Sequence, residues 1–116
     1  MSSEARRALV SGSSSGIGLA ISRALLADGW SVTGLDRAPA RIEDRGFRGV
    51  ELDLCDAAAT EAALRAQGPV QALVHAAGVL RVGRLGQLDG AAGEQMWRLH
   101  VDAAARLADR LVPPMV

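Results

Sequence analysis

Arg7-Ala8-Leu9-Val10-Ser11-Gly12-Ser13-Ser14-Ser15-Gly16-Ile17-Gly18 is the stretch whose reading decides the fold. Residues 7–11 are a short apolar run that stops at a Gly/Ser cluster, as a buried strand does. From Ile17 the period changes. Ile17, Ala20, Ile21, Ala24 and Leu25 recur at helical spacing, with Arg23 and Asp28 off that face. Ser14 or Ser15 is suited to cap this helix, and Gly29 stands where a left-handed residue closes it. Strand, glycine turn and helix in direct succession make the first joint of a parallel α/β sheet.

The same alternation continues outward from that joint. Residues 30–35 read as a second strand closing at Asp36, and residues 49–54 as a third. Residues 57–66 are Ala-rich and helical, and Gly68-Pro69 stops them. Residues 70–74 form the fourth strand, with Ala76-Ala77-Gly78 at its carboxyl end. Residues 79–90 read as a loop, and a long helix follows over 91–112, ended by Pro113-Pro114. Its apolar positions Met96, Leu99, Ala103, Leu107 and Leu111 recur at spacings of three and four. Right-handed crossovers then predict strand order 3-2-1-4, the first half of a Rossmann-like, doubly wound parallel sheet in one domain.

Composition bounds the function. The chain's 116 residues, 49% of them apolar, suffice for one core and exclude disorder. No stretch approaches the ~20 apolar residues of a membrane span, and Ala8-Leu9-Val10 is too short for an export signal. The single Cys55 forms no internal disulfide, which suits a reducing cytoplasm. With 13 cations balancing 13 anions, neither a nucleic-acid surface nor a membrane partner is expected, and no metal site is called for. All 13 cations are Arg; the chain contains no Lys and no Tyr.

The glycine turn carries the chemistry. A pyrophosphate needs backbone N–H donors at a helix N-terminus and no Cβ in its way. Gly12 permits the tight turn out of the strand, Gly16 lets the main chain approach phosphates, and Gly18 lets the helix pack close to the sheet. A Gly/Ser turn that binds nothing is the bland alternative. Asp36 is an independent match, 18 residues beyond Gly18, near the ~20 expected for a carboxylate that grips an adenosine ribose. It favours NAD over NADP, because a carboxylate accepts from a 2′-hydroxyl and repels a 2′-phosphate. Arg37 beside it works the other way, since a guanidinium takes a phosphate bidentately.

At these residues the chain resembles the short-chain dehydrogenases/reductases, in their compact single-domain branch. Gly12-x-x-x-Gly16-x-Gly18, with Ser11 where the family usually has Thr, is similar to its cofactor turn. Asp53-Leu54 resembles the pair that holds the adenine edge, and His75-Ala76-Ala77-Gly78 resembles Asn-Asn-Ala-Gly with both Asn replaced. Ser15 stands where NADP-preferring members often carry Arg or Lys. Taken singly, Asp53 is equally a helix cap, His75 a core-edge histidine and Ala76-Ala77-Gly78 a close-packed strand end; joint order and spacing favour the cofactor.

The resemblance implies an NAD-dependent oxidoreductase that interconverts an alcohol and a carbonyl, with Gly12, Ser14, Ser15, Gly16, Ile17, Gly18, Asp36, Arg37, Asp53, Leu54, His75, Ala76, Ala77 and Gly78 holding the cofactor. Counting back from Pro113 and Met115 puts His100 on the family's catalytic Asn; a second alignment puts Asp102 there and loses the Pro–Met spacing. The family's Ser on strand five and its Tyr-x-x-x-Lys have no counterpart, so the chain is expected to be truncated and inactive alone. Self-association, or association with a missing carboxyl-terminal half, is expected. A catalytically silent dinucleotide-binding or oligomerisation module, complete at 116 residues, is the alternative.

Overall fold

The structure, a computed structural model, describes residues 6–115; residues 1–5, which precede the Ala8-Leu9-Val10 run, and residue 116 lie outside it. Four parallel strands form one sheet in the order β3-β2-β1-β4, with β1 Arg7–Ser11, β2 Ser31–Asp36, β3 Phe47–Glu51 and β4 Ala72–His75. The expected order is therefore observed. Leu9 pairs with Thr33 on one side and Leu73 on the other, so β1 lies at the centre.

Side chains alternate across β1, and its two faces do different work. Leu9 and Leu35 join Leu54, Leu64, Val70, Leu99, Ala103, Leu107 and Leu111 in the main core. This layer is covered by α2 (Ala57–Arg65) and by the long helix near the carboxyl end. Helix α1 (Gly16–Ala27) packs on β1 and β2.

The buried face of α1 differs from the expected one. Gly18 and Ser22 are buried, whereas Ile17 is 74% exposed and Ala20 and Ala24 are exposed too. The reason is proximity. A Cβ on Gly18 would collide with the Gly12 carbonyl, and the Ser22 hydroxyl returns a 2.8 Å bond to the Gly18 carbonyl within the helix. Small residues, not large apolar ones, mark the contact. The helix closes as expected on Gly29 (φ +86), with Trp30 N–H bonding Leu25 O and Gly29 N–H bonding Leu26 O.

Two strand boundaries also shift. β3 ends at Glu51, not residue 54, because Asp53 folds the chain into a turn, its Oδ1 accepting Cys55 N–H at 2.9 Å. The cap of α2 is Asp56, accepting Ala59 N–H at 3.0 Å, so Asp53 is not the cap. β4 starts at Ala72 and runs to His75, although Gln71 N–H already bonds Arg7 O. The long helix is three pieces: α3 (Gly90–Trp97), a π-helical turn over Arg98–Asp102, and α4 (Ala103–Leu111). Leu99, Ala103, Leu107 and Leu111 are buried as the spacing predicts, and Met96 is partly so. Pro113–Met115 end the helix in a 3-10 turn.

Candidate cofactor cleft

All four strands deliver their carboxyl ends to one edge of the sheet, and a cleft of about 330 Å³ opens there. Its size is at the lower end for small-molecule sites, and its place at the carboxyl ends is where ligands bind in such sheets. Of the residues singled out in the sequence, Gly12, Ser15, Gly16, Ile17, Asp36, Arg37, Asp53, Leu54, Ala76, Ala77 and Gly78 line it. Ser14, Gly18, His75 and His100 do not; each stands behind or beside the lining.

The floor is the turn between β1 and α1. Gly12 adopts φ +71, and a Cβ there would stand 2.6 Å from Ala77 N, so only glycine lets the turn meet the wall after β4. Gly16 adopts φ +54, and nothing lies within 4 Å of where its Cβ would be: a side chain there would enter open space. Ser15 is the N-cap residue but makes no side-chain capping bond. The expected cap position, Ser14 or Ser15, is thus taken by Ser15 without a hydroxyl bond, and Ser14 Oγ turns to Ala38 O. The first-turn N–H groups of α1 are therefore without a side-chain cap, with the positive end of the helix dipole behind them.

Asp36 is fixed by main-chain donors. Its Oδ2 accepts Ser14 N–H at 2.9 Å and its Oδ1 accepts Ala38 N–H at 2.9 Å. Each oxygen keeps a free lone pair, so the held carboxylate can still accept from a diol. Leu35, Leu52 and Leu54 add an apolar side to the cleft, and Val79 and Leu99 line it as well. Cys55 stands just outside the lining, and burial together with the nearby Asp53 pushes its thiol pKa up.

His75 sits behind the wall and joins three segments. Its Nε2 lies 2.9 Å from the Leu99 carbonyl, which only accepts, so Nε2 carries the proton. Nδ1 is then the acceptor for the Ser11 hydroxyl, 2.7 Å away, and Ser11 Oγ accepts Ala77 N–H at 3.1 Å. The π-helical turn explains the Leu99 contact. Ala103 N–H, the α-helical partner of that carbonyl, bonds Arg98 O instead. Burial lowers the His75 pKa below its ordinary 6.5; the Leu99 bond opposes this, and the His100 charge adds to it. His100 lies in the π-helical turn with its ring against Gly78, and its Nε2 is 2.9 Å from Val79 O. Asp102, the alternative to it, is engaged on the surface by Arg106 at 3.2 Å.

Ser11 enters the sequence only as the residue before the cofactor turn, with no contact assigned to it, and the Leu99 carbonyl does not enter at all. A hydroxyl at the end of a central strand was a signal for the first; a carbonyl freed by a π-turn leaves no mark in residue type.

Comparison with known proteins agrees with this architecture. A model described as "short chain dehydrogenase" matches residues 6–116. D-erythrulose reductase of Gallus gallus is 36% identical over 121 residues, covering 100% of this chain and 49% of its own length. A solved short-chain dehydrogenase from Streptomyces avermitilis superposes with a TM-score of 0.88 at 31% identity, over 97% of this chain and 45% of that one. The L-sorbose reductase of Gluconobacter frateurii, solved with NADPH and L-sorbose, gives 0.83 at 26% identity, covering 97% and 48%. The chain therefore spans about half the length of these relatives. By the match that runs from Arg6 to its last residue, it belongs to the short-chain dehydrogenase family of oxidoreductases, of which it represents the amino-terminal half.

Proposed function

We propose that this chain is the NAD-binding half of an oxidoreductase that interconverts an alcohol and a carbonyl. The observation that carries the reading is the uncapped first turn of α1, opening beside the held carboxylate of Asp36 in one cleft. The donors of that turn suit a pyrophosphate, and the space above Gly16 admits it. The free lone pairs of Asp36 suit a ribose 2′,3′-diol, and Leu54 with Asp53 suits an adenine edge. NAD is preferred to NADP, because a 2′-phosphate would meet the Asp36 carboxylate and Ser15 offers it no cation; Arg37 limits the preference without reversing it.

When bound, the nicotinamide ring supplies the hydride chemistry. The chain's own part is to bind and orient. His100, in the place of the family's Asn, is proposed to hold the segment at Gly78 and Val79, where its ring already lies. A proton donor for the substrate oxygen is expected outside these residues, since the family's Tyr and Lys have no counterpart in a chain that has neither. That same absence favours a second reading for the 116 residues taken alone, a binding module without turnover.

Gly16→Val is the direct test. Its β-branched side chain would stand in the open space above the turn and strain the φ of +54 there, so calorimetry should find NAD binding abolished under conditions where circular dichroism and a denaturant melt show the variant folded. Ser13→Ala, buried against Gly34 and outside the lining, should bind nearly as the parent does. A folded Gly16→Val protein with parental affinity would make the turn purely structural.

A further inference from the structure

Ser11, His75 and Leu99 form a relay across β1, β4 and the π-helical turn, and its far end is a cleft residue. Ala77 N–H bonds Ser11 Oγ, Ser11 O–H bonds His75 Nδ1, and His75 Nε2–H bonds the Leu99 carbonyl. Ser11 is fully buried, and its main-chain carbonyl also accepts Ala76 N–H. Both neighbours, Ala76 and Ala77, line the cleft. Their contact with the Gly12 turn has no slack, as the missing Cβ of Gly12 testifies.

We propose that His75 is a positioning residue of this cleft that works only as the neutral Nε2–H tautomer, and that protonating it releases the Ala77 wall and weakens dinucleotide binding. This rests on the dinucleotide reading above. A proton added at Nδ1 turns that atom from acceptor to donor. The Ser11 hydroxyl, on a residue with no exposed surface, then loses the only acceptor its hydrogen bonds give it among the described residues, and an orphaned buried donor is costly. Oγ is left facing two donors, Nδ1–H and Ala77 N–H, while its own hydrogen must turn away to where no acceptor is given; relieving that orphaned donor shifts Oγ, the atom that holds Ala77 N–H. β1 presents only the neutral Ser11 to the ring. The long helix presents the Leu99 carbonyl and His100, whose positive form repels a second charge. Among the described residues no carboxylate bonds either ring nitrogen. Protonation is thus expected below about pH 6.5, the ordinary value for the side chain.

Two measurements on the chain test this. Long-range 15N–1H spectra at about pH 7.5 should show His75 protonated at Nε2 and bare at Nδ1; the reverse tautomer overturns the relay. Calorimetric titration with NAD should show affinity falling roughly 5-fold between about pH 7.5 and about pH 5, the scale of one lost hydrogen bond. His75→Asn keeps a donor and an acceptor but does not titrate, so it should lose this extra slope; comparison with the parent cancels any titration of NAD itself. Ser11→Ala should also flatten the slope while the His75 resonances still titrate, and it serves if the Asn variant does not fold. Equal slopes in parent and variants overturn the coupling. Failure of the parent to bind NAD at any pH instead overturns the dinucleotide reading, an outcome distinct from a flat slope.

Discussion

Gly18 shows how a single atom sets the architecture. Its missing Cβ allows α1 to seat on the Gly12 carbonyl, a neighbour that is backbone and cannot swing aside. Gly18→Ala should therefore destabilise the chain by about 1–3 kcal/mol, as overpacking does, measured as a lower denaturant midpoint. His75 gives a second expectation at this scale. Its folded pKa is depressed, so the unfolded chain binds more protons in the window just below 6.5. Stability is full above that pH and is lost as pH falls through the window toward the folded pKa. Denaturant melts on either side of the window should show this loss in the parent and less of it in His75→Asn. The residues whose placement was legible in advance are those whose type and spacing mark a turn or a strand end: Gly12, Gly16, Gly18 and Asp36. Ser14 was expected as a cap or as a cofactor contact, and its bond to Asp36 was not legible, because a main-chain N–H is blind to its side chain.

Among the elements, the buried stripe of the long helix was legible, whereas for α1 the helix was legible and its buried face was not. Leu99, Ala103, Leu107 and Leu111 are large or central enough to announce their face; Gly18 and Ser22 announce nothing by hydropathy. Leu107 is wholly buried in the core between the sheet and α2, so Leu107→Ala should cost about 2–5 kcal/mol in a denaturant melt. The π-helical turn over Arg98–Asp102 was not legible either, since it interrupts the hydrogen bonding and not the apolar spacing. Strand three shifted toward the amino end because Asp53 prefers its own side-chain turn over a further ladder bond.

At the scale of the molecule, strand order and parallel sense followed from alternation of strand and helix with right-handed crossovers, and they are observed. Among the described residues β4 is an edge, its side away from β1 presenting unpaired main-chain groups. Leu80, Val82, Leu85 and Leu88, in the segment that follows it, are all at least 70% exposed. Light scattering on the 116-residue chain should accordingly show association, and a soluble monomer at high concentration would contradict this. Mixed with NADH and a panel of ketones and aldehydes, the chain should show no steady loss of nicotinamide absorbance, because a positioned general acid is typically worth 10²–10⁴-fold. Whether the cleft holds a dinucleotide with Asp36 on its ribose is decided by calorimetric titration of NAD and NADP into the parent chain and Asp36→Ala. NAD should bind the parent more tightly than NADP, and the gap should narrow by about 1–3 kcal/mol, roughly 5- to 150-fold, in the variant. Equal or NADP-favouring affinity in the parent would contradict it and move the role to Arg37.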